Sequence, residues 1–146
     1  MSTRSLRVYV TDLDGTLLNG EAALSERTRS GLTELLDDGM LFTVASARSV
    51  KAMQVILEGL TLPLPVIEHN GGYISDLASG RHLVTNSLSP SLARGAYDII
   101  AGAGRLPLVT SFDGEQDRLH YSEVRNPGVE WYVEDRKLNA DPRLTH

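Results

Sequence analysis

Apolar and polar positions alternate between two periods along the first half of the chain. Residues 6–11 read LRVYVT, a β-branched run of the kind buried strands use. Ser25 then stands as the N-cap of a helix carrying Leu32, Leu35 and Leu36 on one face, with Gly39 as its C-cap. Residues 41–45, LFTVA, predict a second buried strand. A second helix over residues 49–60 places Met53, Ile56, Leu57 and Leu60 at packing intervals. Pro63 and Pro65 interrupt the chain before a third short strand at Val66 and Ile67.

Strand, helix, strand, helix, strand is the order of right-handed βαβ units, so the expected fold class is α/β with a parallel sheet. Such sheets bind ligands beyond the carboxyl ends of their strands. Those ends fall at Asp12, Ser46 and Asn70, all polar.

The pattern then changes. Residues 73–76 and 82–85 predict a hairpin across Ala78, Ser79 and Gly80. Ser89-Pro90 opens a helix, with proline at its first position, through Leu92, Ala96, Ile99 and Ile100. Residues 106–112 and 118–123 predict a hairpin around Asp113-Gly114. Asn126-Pro127 starts a last helix with Val129, Trp131, Tyr132 and Val133, whose aromatics are expected to pack inward. This α-β-β-α stretch reads as a separate layer, giving a core over residues 1–85 and a partial second domain over 86–146.

A chain of 146 residues can bury one core with at most a partial second layer, which suits that division. The formal charge of -5 provides no basic face, so no nucleic-acid partner is expected. The absence of cysteine excludes disulfides and thiolate metal sites. The opening MSTRSLRVYV is too short and polar for a signal peptide, and no apolar run is long enough to span a bilayer. The expectation is a cytoplasmic protein with no membrane partner.

The chemistry concentrates in YVTDLDGTLL, residues 9–18. Asp12 and Asp14 point the same way in an extended backbone, and two adjacent carboxylates repel unless a cation or a shared proton lies between them. Mg2+, with oxygen ligands and an accompanying phosphate, resolves that conflict. Gly15 permits the sharp turn away from the strand. The plainer alternative is an Asx turn at a strand exit. Elsewhere the signals are bland. Lys51 and Lys137, the sole lysines, read as solvated helix residues; Asp113, Glu115 and Asp117 read as a hairpin turn. Of four scattered histidines, His69 alone lies near a strand end.

DLDGTLL after a hydrophobic strand resembles the first motif of the haloacid dehalogenase superfamily, most of whose members are phosphatases. FTVASAR resembles its second motif, with Ser46 at the phosphate-binding position and Arg48 matching the TGR of Cof-type members, although Ala47 replaces the usual glycine. IEHNGGYI resembles the ENGA segment of the same subgroup, matching at Asn70 and Gly71. The stretch from about Ser87 resembles the opening of a type IIB cap. The resemblance implies an incomplete Rossmann-like core with the beginning of a cap, and a Mg2+-dependent phosphatase acting on a small phosphorylated metabolite such as a sugar phosphate. Asp12 would be the nucleophile, forming an aspartyl-phosphate, and Asp14 the general acid and base. The latter role needs a raised pKa, which Asp12 favours and Mg2+ opposes. Mg2+ would sit on the Asp12 side chain and the Asp14 carbonyl. Ser46, Arg48, Asn70 and Gly71 would receive the substrate.

The family also uses a lysine and a GDxxND-like strand end that follow the cap, and neither is recognisable here. The chain is therefore expected to be the N-terminal half of such an enzyme, inactive or impaired alone. Its first strand would be an open apolar edge inviting self-association. A receiver-type phospho-acceptor and a catalytically dead phosphate- or partner-binding remnant are the alternatives.

Overall fold

A computed structural model describes residues 6–138 and 141–145. It divides into two units, Met1–Ser87 and Leu88–His146.

In the first unit, β1 (Val8–Thr11) pairs in parallel with β2 (Leu41–Val44), Val8 facing Leu41 and Thr11 facing Val44. The connection is α1 (Glu26–Asp37). Ser25 caps it by accepting the Thr28 N–H at 3.1 Å, satisfying a donor the helix cannot. At the other end Gly39, at φ +85°, lets its own N–H reach Leu36 C=O and the Met40 N–H reach Leu35 C=O, which closes the last turn. The second connection is α2 (Val50–Ile56), capped by Ser49. It is shorter than the apolar spacing predicts because Gly59, at φ +82°, reverses the chain, leaving Leu57 and Leu60 in a turn that still packs inward.

Next comes β3 (Val66–Glu68), which continues the parallel layer through one bridge, Ala45 with Ile67. It also begins an antiparallel meander with β4 (Tyr73–Ser75) and β5 (His82–Thr85). The core of the unit gathers Leu13, Leu18, Leu32, Phe42, Val44, Val50, Met53, Leu57 and Val66. Parallel strands are normally covered on both faces. Here β2 is, but Val8, Tyr9 and Val10 of β1 are each about half exposed.

In the second unit, α3 (Pro90–Gly102) is followed by the hairpin β6 (Val109–Phe112) and β7 (Asp117–His120). Asp113 turns that hairpin, its carboxylate accepting the Glu115 and Gln116 N–H groups. α4 (Pro127–Leu138) and β8 (Leu144–Thr145) complete the unit, β8 lying parallel to β7. One packing expectation fails here. Trp131 is 69% exposed, because the inward stripe of α4 runs through Val129 and Val133, and a residue midway between them points to the opposite side. α3 buries none of its residues, and Leu92 and Ile99 face solvent. Among the described residues no helix is long and apolar enough to cross a membrane.

Candidate active site

The site forms where three strand ends meet in the first unit. The Ala45 N–H donates to Thr11 C=O at 2.8 Å, so Asp12 and Ser46 each lie just past the last paired positions of β1 and β2. The Ser46 N–H donates to Ile67 C=O at 2.9 Å, and Ser46 C=O accepts the Asn70 N–H at 3.0 Å. The His69 N–H reaches Arg48 C=O at 3.3 Å. The loops after β2 and β3 are thereby joined, bringing Ser46, Arg48 and Asn70 together.

The acidic loop is anchored by what lies between its acids. Asp12 and Asp14 are exposed, whereas Leu13 is fully buried in the core. The loop is a wide turn over Leu13–Leu17, closed by the Leu18 N–H on Leu13 C=O at 2.9 Å, with Gly15 at φ +72°. The Leu13 N–H donates to Asp12 Oδ1 at 2.7 Å, which orients the Asp12 carboxylate from within its own loop.

Arg48 crosses from the β2 loop and grips Asp14 with two parallel bonds, Nε to Oδ2 at 2.8 Å and Nη2 to Oδ1 at 2.7 Å. The raised pKa that the acid–base role of Asp14 needs is not what the structure shows. The Arg48 hydrogen bonds hold the carboxyl below its ordinary 3.8, outweighing the opposing effect of desolvation. Direct donation from a fixed cation decides the matter. Arg48 is pushed up in turn, for the same reason. A depressed carboxyl stabilises the fold above its unfolded pKa and loses that contribution as pH falls through the folded value. Asp14 is half exposed and Arg48 partly so, which screens the pair and keeps its effect on stability small. In a carbon-13 NMR titration Asp14 should titrate below 3.8 and move up toward it in Arg48→Ala; an unchanged midpoint in the variant would refute the pairing.

Ser46 is 4% exposed, and its hydroxyl accepts the Arg48 N–H at 3.2 Å. A hydroxyl that accepts still has its proton to donate. After β3, His69, Asn70 and Gly71 all take positive φ, at +49°, +54° and +93°. Such a run costs backbone energy at the two non-glycine positions and persists only where surrounding bonds impose it. Asn86 supplies two of them, from Nδ2 to Gly71 C=O at 2.9 Å and from its N–H to Gly72 C=O at 2.8 Å. Gly72 completes the turn, since a Cβ there would lie 3.2 Å from that of His69.

For a cation, the available donors are hard oxygens: the Asp12 carboxylate and the Asp14 carbonyl. Among the described residues no group of three or more histidine or acidic side chains is placed to hold a metal ion by itself. Mg2+ suits such a sparse set, since it usually takes one or two carboxylates and fills its shell with water and substrate phosphate.

A family model described as haloacid dehalogenase-like hydrolase matches residues 9–139. The chain belongs to that family. Among curated haloacid dehalogenase-like relatives, 5-amino-6-(5-phospho-D-ribitylamino)uracil phosphatase YwtE of Bacillus subtilis is 34% identical over 83 residues, covering 57% of this chain and 28% of that protein. HMP-PP phosphatase of Escherichia fergusonii is 38% identical over 71 residues, 49% of this chain and 26% of that protein. A haloacid dehalogenase-like hydrolase structure from B. subtilis superposes with a TM-score of 0.69 at 22% identity, covering 93% of this chain and 46% of that one. Another from Bacteroides thetaiotaomicron gives 0.65 over 97% of this chain and 52% of that one, also at 22% identity. The chain thus spans about half the length of these solved structures and little more than a quarter of the curated relatives.

One residue escaped the sequence reading. Glu68, the last residue of β3, is an acid with no exposure at all. The signal for it is the one that marks Asp12, an acid ending an apolar strand.

Proposed function

We propose that this chain carries the nucleophile and phosphate-binding half of a Mg2+-dependent phosphoric monoester hydrolase. The observation that carries the reading is the convergence of Asp12, the Asp14–Arg48 pair, the Ser46 hydroxyl and the Asn70 turn at the carboxyl ends of parallel strands. Residues 1–85 are the core and residues 86–146 the opening of a type IIB cap.

In this reading an Asp12 carboxylate oxygen attacks phosphorus. The bond from phosphorus to the ester oxygen breaks, and Asp14 delivers a proton to the departing oxygen, releasing an alcohol. Water then loses a proton to Asp14 and attacks phosphorus, restoring the Asp12 carboxylate and freeing inorganic phosphate. A carboxylate is already ionised at neutral pH, and the acyl phosphate it forms hydrolyses readily, so one difficult step becomes two easier ones. The Asp12 side chain and Asp14 carbonyl would hold Mg2+, which when bound neutralises phosphate charge. The Ser46 hydroxyl donates to a transferring oxygen. Arg48 matches two phosphate oxygens as well as it matches two carboxylate oxygens. Its transfer from Asp14 to substrate removes the interaction that depresses Asp14, and so readies that carboxyl to carry a proton.

The substrate class is a small phosphorylated metabolite. The name of the YwtE relative, a phosphatase of a phosphorylated ribitylamino-uracil, supports a phosphate on a sugar-like chain. The test is a nitrogen-15 NMR titration with orthophosphate and Mg2+. Amides of Ser46, Asn70 and Gly71 should shift together and saturate. A saturating response elsewhere, or none at all, would sink the reading.

A further inference from the structure

We propose that Glu68 is a positioning residue, a buried carboxylate that sets the loop carrying Ser46 and Arg48. The inference depends on the phosphatase reading only for what that loop does, not for how it is held.

The loop runs from the end of β2 to the start of α2, and β3 holds it along its whole length. At its beginning, Ser46 exchanges backbone bonds with Ile67 and Asn70. In its middle, Arg48 C=O takes the His69 N–H. At its end, the Val50 N–H donates to Glu68 Oε2 at 2.6 Å, a short bond to a fully buried carboxylate. The first two attachments are backbone to backbone and almost any side chains would allow them. The third exists because residue 68 carries an acceptor oxygen at this length.

The other carboxylate oxygen explains why Oε2 is aimed there. Ser75 Oγ donates to Oε1, and His82 Nδ1 lies 3.0 Å from the same atom. Ser75 is fully buried, and the His82 ring, 4% exposed, stacks on Tyr73 at 4.1 Å between centroids. The β4–β5 hairpin therefore grips one oxygen and leaves the other to grip the helix start. A carboxylate taken out of water is costly unless its oxygens are bonded in this way, so a carboxylate in place of an apolar side chain calls for a reason. Its location supplies one, for Glu68 immediately precedes the His69, Asn70 and Gly71 turn, whose positive φ values must be imposed from outside. One side chain thus fixes both the far end of the Ser46–Arg48 loop and the base of the Asn70 turn.

Three variants separate positioning from mere stability. Glu68→Gln keeps the length and can still offer an oxygen to Val50. Glu68→Asp keeps the carboxyl but falls one methylene short, and Glu68→Ala removes the group. Hydrogen exchange of the Val50, His69 and Asn70 amides should quicken at least about tenfold in the Asp and Ala variants relative to the slowest core amides, the scale of losing a hydrogen bond to a charged group. The Gln variant should recover most of that protection. It should also show the Val50 amide proton shifted, because its acceptor changes from a carboxyl to an amide oxygen. Unchanged local rates, or rates that rise in step with the core amides, would overturn the proposal. Should Asp and Ala fail to fold, an unmoved Val50 proton in the Gln variant would overturn it alone. Titration with orthophosphate and Mg2+ keeps the two readings apart. A wild-type chain that ignores phosphate sinks the phosphatase reading and leaves Glu68 standing. Variants with wild-type exchange beside a normal phosphate response do the reverse.

Discussion

Asp12→Asn should abolish phosphoryl transfer and leave the fold untouched. In any polypeptide that contains this segment and hydrolyses p-nitrophenyl phosphate with Mg2+, turnover should fall by roughly four orders of magnitude or more, the scale on which covalent nucleophiles matter. An amide has nearly the shape of a carboxylate but neither its charge nor its nucleophilicity. The structural cost is small for a specific reason. Asp12 is exposed, and the bond that orients it is accepted by Oδ1 from the Leu13 N–H, a task an amide oxygen performs equally well. Thermal unfolding should therefore match the wild type within experimental scatter. Substantial turnover in the variant would remove Asp12 from its role. A large loss of stability would show that the carboxylate holds more than its own loop.

Leu13→Ala should do the opposite, destabilising the first unit without removing any polar group of the site. Leu13 is fully buried among Leu18, Val44, Met53 and their neighbours. Truncating such a leucine removes its transfer energy and leaves a cavity, together about 2–5 kcal/mol. For a unit of this size that lowers the melting temperature by roughly 10 °C or more. The leucine also lies between the two acids, with its N–H on Asp12 and its carbonyl closing the turn beyond Gly15. Loosening it frees both carboxylates, so Mg2+ affinity measured by isothermal titration should fall along with stability. A variant that melts like the wild type would mean that the acidic loop is held by its backbone bonds alone. The two substitutions, one residue apart, thus divide chemistry from support.

The pairing of Arg48 with Asp14 bears on both. Until something else takes the guanidinium, Asp14 stays a depressed, ionised carboxylate. The arrangement is a resting one, in which the group proposed to carry a proton is kept from holding it.

Much of this was legible in the order of residues. The parallel βαβ units, the N-caps at Ser25 and Ser89, the Gly39 stop and the Asp113 turn all follow from local rules: which side chains can satisfy a free N–H, and which residues accept positive φ. The positions of Asp12, Ser46 and Asn70 followed too, because parallel strands present their carboxyl ends on one side. Family membership was legible as a resemblance, since DLDGTLL, FTVASAR and IEHNGGYI are similar to the family's motifs. Packing was less legible where the apolar surplus outran the available partners. Trp131 stands exposed although its type suits burial, because it lies opposite the stripe of Val129 and Val133. The apolar residues of α3 stand exposed because a pattern states which face is apolar but not whether anything covers it.

What the chain order could not decide was partnership at a distance. Nothing in the sequence shows that Arg48 would reach back thirty-four positions to Asp14 and hold its carboxyl below the ordinary value. Nor does it show that Glu68 would be fully buried between α2 and the β4–β5 hairpin rather than facing solvent at a strand end. Hydrophobic periodicity is a property of neighbours along the backbone and survives without the fold. Electrostatic interactions depend on separations of a few ångströms between groups that only folding brings together, so their sign and strength are settled by tertiary structure.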